Sequence, residues 1–328
     1  MDRRKLPGRG VVLAILLASS SFGADSAAEA SRPRMHVQAS PENAHLTLFE
    51  DARPILVYNV AVVEPGDRLA AIAPDNRKYA RARADYIHPL FGPNGETLTR
   101  DWPSDHPHHR GIYWAWPEVE WGTERADLHA LQRVFARPVG RPTTRDGAET
   151  CEIVATQHWL WEDRQPIVEE QVLLRARRAD AEGQSIDFEL RLRALEDRVT
   201  VARRETRLYG GLDIRLATPA DQVIATHTDP IDSSRFRSWS DLAGSFDGTH
   251  VAGLTVLQHR GNPLYPGDWI QYPEISWCQP TFPAAGRRFP LRRDSPLVLR
   301  YRLRIHSGAT PSPESAARQW DAFHAEVP

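Results

Sequence analysis

Two stretches of this chain alternate apolar and polar residues so strictly that only extended strands with one wet face satisfy them. In the first, Ile186, Phe188, Leu190 and Leu192 alternate with Asp187, Glu189, Arg191 and Arg193. In the second, Leu297, Leu299, Tyr301, Leu303 and Ile305 alternate with Val298, Arg300, Arg302, Arg304 and His306. The polar set of this last strand reads as a solvated face. Shorter strand-like runs precede these. His45–Phe49 and Pro54–Asn59 flank a turn at Glu50–Arg53, and Cys151–Trp159, Ile167–Leu174 and Leu212–Leu216 follow. The uniformly apolar Val251–Leu257 reads as a central strand. Proline and glycine punctuation joins them, and the polar stretch 63–83 reads as a loop. One helix stands out near the end. Ser312 supplies an N-cap and Pro313 the first helical position, and Ala316, Trp320 and Phe323 share one face. Many strands and one terminal helix predict an all-β fold, a large β-sandwich closed by a C-terminal helix.

The chain has 328 residues, of which 41% are hydrophobic and 26% charged, enough for a sizeable core. A net charge of -2 provides no field for nucleic acid or an anionic membrane surface. The basic start Asp2-Arg3-Arg4-Lys5, the apolar run Val11–Ala18 and the small residues to Ala24 have the layout of a secretory signal peptide. Residues 1–23 are expected to be the signal, 24–34 a flexible lead-in, and 35–328 a single β-sandwich domain. The expected location is periplasmic or secreted, without stable membrane insertion once the signal is removed. Cys151 and Cys278 are the only cysteines; their spacing does not force a disulfide, and two separate buried thiols are expected.

The densest chemistry lies in Asp105-His106-Pro107-His108-His109-Arg110-Gly111. Neutral imidazoles can ligate a transition metal with a carboxylate, and a single histidine can act as general acid or base. Arg110 can grip a carboxylate in bidentate fashion. Residues two apart in an extended chain share a face, so His106 and His108 are expected to act together, with His109 turned to supporting contacts. A second segment, Tyr209-Gly210-Gly211-Leu212-Asp213-Ile214-Arg215, puts Asp213 and Arg215 on one face of a strand. Its alternative reading is a bulge with a surface ion pair. A third, His259-Arg260-Gly261-Asn262-Pro263, ends the apolar strand and by itself reads as a turn. Glu118, Glu120, Glu169 and Glu170 are available as acid/base partners. Phosphate-cradling loops, dinucleotide fingerprints and a nucleophile elbow are absent from the sequence.

These segments, with the approach Pro89-Leu90 to Gly95-Glu96-Thr97-Leu98-Thr99 and the closing Leu299–Leu303 strand, resemble the PmoA-like family. This is a secreted bacterial family labelled after a methane oxygenase subunit. The resemblance covers nearly the whole mature chain. It implies a β-supersandwich similar to that of galactose mutarotases and related carbohydrate-processing enzymes, where a histidine and a carboxylate act on a sugar in a concave sheet.

The leading expectation is a carbohydrate-active protein whose ligand is a small molecule or an oligosaccharide. His106, His108 or His109 would serve as general acid/base, and Arg110, Tyr209, Arg215 and Asn262 would bind the ligand. A metal-dependent enzyme using His106, His108 and His109 is the alternative, and a non-catalytic glycan-binding module a third. The sequence requires no cofactor and leaves a divalent metal open. The leader pattern predicts cleavage after Gly23, with a site after Ala28 as the alternative; intact-mass measurement of the mature chain checks this, and a retained Met1 start would refute it.

Overall fold

The structure, a computed structural model, describes Met1, residues 34–230 and residues 232–327. The expected signal and nearly all of the lead-in (2–33) lie outside the described residues. From Arg34 onward the chain forms one compact unit. In chain order it begins with β1 (Met35–Ala39), β2 (His45–Glu50), β3 (Arg53–Asn59), β4 (Tyr86–Leu90) and β5 (Ile112–Ala115). Short strands follow: β6 (Glu118–Trp121), β7 (Glu124–Ala126), β8 (Val134–Pro138) and β9 (Thr143–Arg145). Three long strands come next, β10 (Thr150–Trp161), β11 (Gln165–Arg177) and β12 (Gln184–Ala194). Then come β13 (Val199–Ala202), β14 (Gly211–Arg215), β15 (Ala220–Thr228), β16 (Ser238–Ser245) and β17 (Val251–Gln258). The last are β18 (Trp269–Tyr272), β19 (Trp277–Pro280), β20 (Arg288–Pro290) and β21 (Leu297–Ser307), followed by helix α1 (Pro313–Glu326).

The pairings are antiparallel. An eight-stranded sheet runs β1-β2-β3-β4-β5-β14-β19-β18, and a nine-stranded one runs β15-β16-β17-β21-β12-β11-β10-β8 with β9 on β10. A small sheet, β20-β13-β6-β7, flanks them. One continuous core joins the two large sheets, with Trp114 of β5 packed 4.8 Å from Phe188 of β12. The chain is thus an all-β sandwich with a single C-terminal helix among the described residues, as its alternation predicts. β10 shows the reason most plainly, since every second side chain along its length is buried. Val251–Leu257 is indeed interior, lying between β16 and β21.

Two expectations need amending. The polar face of β21 is not solvated: Arg302, Arg304 and His306 are all buried. Arg302 donates to Asp187 at 2.6 Å and to Glu326 of α1 at 2.8 Å, Arg304 to Ser185 at 2.7 Å, and His306 pairs with Asp241 at 2.9 Å. Glu326 shows the cause, since α1 lies over this face and the Arg302 guanidinium reaches its carboxylate. The helix buries Ala316, Trp320 and Phe323 against Trp239 and Leu257, the face its spacing marks out. Within the polar stretch 63–83, two 3-10 helices form at Gly66–Ala71 and Pro74–Tyr79. The cysteines are two free buried thiols. Burial pushes the thiol of Cys151 up to about 12 and that of Cys278 up to about 11.

A polar knot sits inside the core. Glu170 takes the indole N–H of Trp114 and, at 2.5 Å, that of Trp159. Asp85 lies against Glu170 and accepts from the Tyr58 hydroxyl at 2.5 Å. Burial, then the neighbouring Asp85 charge, pushes the Glu170 carboxyl well up. The folded state therefore holds a proton that the unfolded chain releases near pH 4.5. The stability from this proton is full below that pH and is lost as pH rises toward the folded value. Glu170→Gln does not titrate and puts an NH2 against one indole N–H, so at pH 5 it should be less stable than wild type by about 1–3 kcal/mol. The gap should narrow by pH 8. Thermal melts across that range check the sign, and a gap that widens would refute it.

Candidate functional site

Strand register decides which side chains reach the site. β14 pairs with β5 so that Asp213 lies opposite Tyr113, and with β19 so that Arg215 lies opposite Trp277. Residues directly opposite share a face. Tyr113, Asp213, Arg215 and Trp277 therefore project to one side, while Leu212 and Ile214 enter the sandwich core. Gly211 permits the entry into β14. Its φ is +127°, and a Cβ there would lie 3.0 Å from the Phe282 nitrogen.

The histidine segment lies over this face. It is a turn and not an extended piece: the His109 N–H donates to the His106 carbonyl at 2.9 Å, with Pro107 between. Gly111 lets the chain leave the turn for β5, at φ +64°, where a Cβ would run into the Ile87 carbonyl oxygen. The turn replaces the alternation that would pair His106 with His108. Instead His108 and His109 turn inward, with ring centroids 4.6 Å apart. His106 stays at the rim, stacked on His109 at 4.8 Å.

The inner pair meets a third ring, His129, from the connection between β7 and β8. One ring nitrogen from each of His108, His109 and His129 lies within 4.8 Å of the others. Nothing in the polar stretch before Ala148 marks His129 out; only the fold brings it in. Its segment is held by hydrogen bonds between Asp127 and Gln132 backbones and by Asp127 Oδ1 accepting from Ala130 N at 2.8 Å. From beneath, the buried Arg83 donates to the Leu128 and His129 carbonyls at 3.0 and 2.5 Å.

The Nε2 of His129 faces the Tyr113 hydroxyl at 3.0 Å and the Asp213 carboxyl at 3.4 Å. Asp213 is itself held by Gln279 at 2.6 Å. That engagement leaves Nδ1 of His129 free, and it is buried without a partner, as are Nδ1 of His108 and of His109. Burial brings the His108 imidazole down to about 3, with the Arg83 charge adding to it. Burial followed by the neighbouring histidines holds His109 well below its usual value, and burial followed by His108 does the same for His129. All three rings are therefore neutral, the form that binds metal. Burial pushes the Asp213 carboxyl well up, against the Arg83 charge.

The three rings, with His106, line a cavity of about 750 Å³. Tyr79, Tyr209, Tyr272 and Trp277 give it aromatic walls; Asn76, Asp127, Gln132, Arg204 and Glu274 give it polar ones. Tyr209 lies 4.8 Å from His129 and Trp277 lies 5.1 Å from His109, measured between ring centroids. At the rim His106 Nδ1 is 2.9 Å from Asp105, and Asp105 lies 3.1 Å from Arg215 Nη2. Burial works against the Asp105 charge, but the His106 hydrogen bond and the Arg215 cation hold its carboxyl below the usual range.

The chain belongs to the DUF6807 family. The model of that family, described as a family of unknown function, matches residues 45–321 and so spans every residue of the cavity. No curated protein matches the chain. Of the residues singled out in this DUF6807 sequence, His106, His108, His109 and Tyr209 line the cavity, and Arg215 stands behind Asp105.

Two do not reach it. Arg110 is fully buried and spends itself on the protein: it donates to Asp101 and Tyr86 at 2.5 and 2.6 Å and stacks 3.5 Å from the Trp102 ring. Asn262 exchanges hydrogen bonds with the Arg300 backbone at 2.7 and 2.9 Å, closing a turn. The four glutamates also lie elsewhere, Glu118 on Arg288, Glu120 on Arg125, Glu169 on Arg193 and Glu170 in the core. Arg110→Ala would leave Asp101 without its cation and should cost about 3–5 kcal/mol. Denaturant unfolding measures this; a variant as stable as wild type would contradict the structural role.

Proposed function

We propose that the chain is an exported, metal-dependent enzyme that acts on a sugar in the histidine cavity. The observation that carries the reading is the convergence of His108, His109 and His129, each with a buried and unpartnered Nδ1. Buried polar atoms without partners are rare, and three of them on rings that converge within 4.8 Å call for a partner. Three neutral imidazoles beside an open cavity suit a divalent first-row ion with a vacant coordination position. Asp213 and Tyr113, both on Nε2 of His129, are partners that hold this ring in its orientation.

An ion bound there supplies Lewis acidity to an oxygen of the substrate or of water. The remaining work falls to the chain. His106, backed by Asp105, stands where protons enter and leave and serves as the acid/base group. Tyr209, Tyr272 and Trp277 present ring faces and edges to an apolar sugar surface, and Arg204, Asn76 and Gln132 face its hydroxyls. A volume of about 750 Å³ lies within the range of small-molecule sites. This refines the sequence reading, since the metal set is His108, His109 and His129, and His106 is left for proton transfer.

Protein stripped of metal and dialysed against zinc or cobalt should take up one ion per chain. Cobalt should give a visible absorption band that His108→Ala and His129→Ala abolish. Asp213→Asn should bind about 10–100-fold more weakly. His106→Ala should keep full uptake while losing sugar turnover. A stripped protein that takes up neither zinc, cobalt, copper nor nickel would end the proposal.

A further inference from the structure

A second cavity, of about 660 Å³, adjoins the first, and Asn76 and Asp105 line both. Its other polar lining comes from Arg100, Ser104, Arg215 and Thr218. The charges there do not balance. Arg100 and Arg215 face one carboxylate, Asp105, and among the described residues Arg100 has no ion pair. The two arginines are held side by side by the backbone, since Arg100 N donates to the Arg215 carbonyl at 3.0 Å.

Arg215 is the more telling of the two. Its side chain is only 6% exposed, yet Nη2 alone is engaged, on the two Asp105 oxygens at 3.3 and 3.1 Å. Nε and Nη1 are buried without a partner. A guanidinium has five N–H donors in a planar fork, and leaving most of them unspent out of water is costly. Asp105 is a weak answer to that cost, because it is 42% exposed and shares Oδ2 with His106. A two-cation bay with unspent donors matches a bidentate oxyanion.

We propose that this bay takes a carboxylate carried by the substrate, so that the enzyme acts on acidic sugars in preference to neutral ones. The inference rests on the reading that sugar chemistry takes place in the histidine cavity. A sugar ring there can direct its carboxylate past Asn76 and Asp105, the wall common to both cavities. Arg100 attracts the anion from the exposed side, and Arg215 receives it from the buried side.

The test measures binding of galacturonate, glucuronate, galactose and glucose to the purified, metal-loaded full chain by calorimetry. The uronates should bind at least about 10-fold more tightly than the neutral sugars. Arg100 is exposed, so Arg100→Gln should fold normally, remove the preference and leave zinc uptake unchanged. Arg215→Lys, which keeps the charge but loses the fork, should reduce the preference as well. Equal affinities, no uronate binding, or an unchanged preference in Arg100→Gln would overturn the proposal. Inorganic sulfate displacing the uronates as well as a uronate does would also overturn it, as the mark of a general anion site. Zinc uptake with equal sugar affinities would sink this inference alone. A uronate preference in a protein that takes up no metal would sink the metal reading alone.

Discussion

The site hangs on the register of three short strands. β5, β14 and β19 contribute only four or five residues each, yet their pairing puts Tyr113, Asp213, Arg215 and Trp277 on one face. A slip of one residue would turn Asp213 and Arg215 into the sandwich core and bring Leu212 and Ile214 to the cavity. The core resists that slip, because it already holds Leu212, Ile214 and Trp114 with almost no exposure. Apolar burial on one side of the sheet thus fixes the chemistry on the other. The polar knot of Asp85 and Glu170 strengthens the point, since Glu170 holds the indole of Trp114, in the same strand as Tyr113.

The loops over this face bury a few apolar side chains, Leu128 and Leu131 among them, and buried arginines hold them as well. Arg83 takes the carbonyls of Leu128 and His129 and lies 4.7 Å from the Tyr113 ring centroid. Arg110 ties the histidine turn to Asp101 and Tyr86. Arg203 donates to the Leu208 carbonyl at 2.6 Å and to the Arg207 carbonyl at 2.5 Å, and reaches Asp268, which steadies the loop that ends in Tyr209. A planar fork with five donors can take two carbonyls and a carboxylate at once, which an ammonium cannot do with the same geometry. In a chain with only Lys5 and Lys78, that work falls to arginine.

Much of the fold was legible because strand alternation is local. The inner faces of β12 and β21, the interior position of β17 and the buried stripe of α1 all follow from residue spacing. Contacts made between distant segments were not legible. The polar side of β21 looks wet in sequence because α1, which covers it, folds back from further along the chain. The histidine cluster was conspicuous by composition, but its turn was not, so alternation grouped His106 with His108. His129 stands alone in a polar connection, and only the clamp of Arg83 and the register of β5 with β14 bring it to the other rings. Arg110 and Asn262 have the right chemistry for a ligand, but sequence does not reveal that Arg110 is buried on Asp101 and Tyr86 and that Asn262 is bound to the Arg300 backbone.

The charges around the three rings place a final constraint on what the site can hold. Arg83, Arg204 and Arg215 stand near it, and so do Asp105 and Asp127, while burial pushes the Asp213 carboxyl well up. Burial keeps the imidazoles neutral, so the three rings bring no charge of their own. Arg83 is the one group with opposing effects: its cation disfavours another positive charge nearby, and its hydrogen bonds hold His129 in place. Asp105 faces a simpler competition, because its Oδ2 lies 3.1 Å from Arg215 and 2.9 Å from His106. Whatever draws Arg215 away leaves that oxygen to His106 alone. The wall between the two cavities is therefore also the link between them.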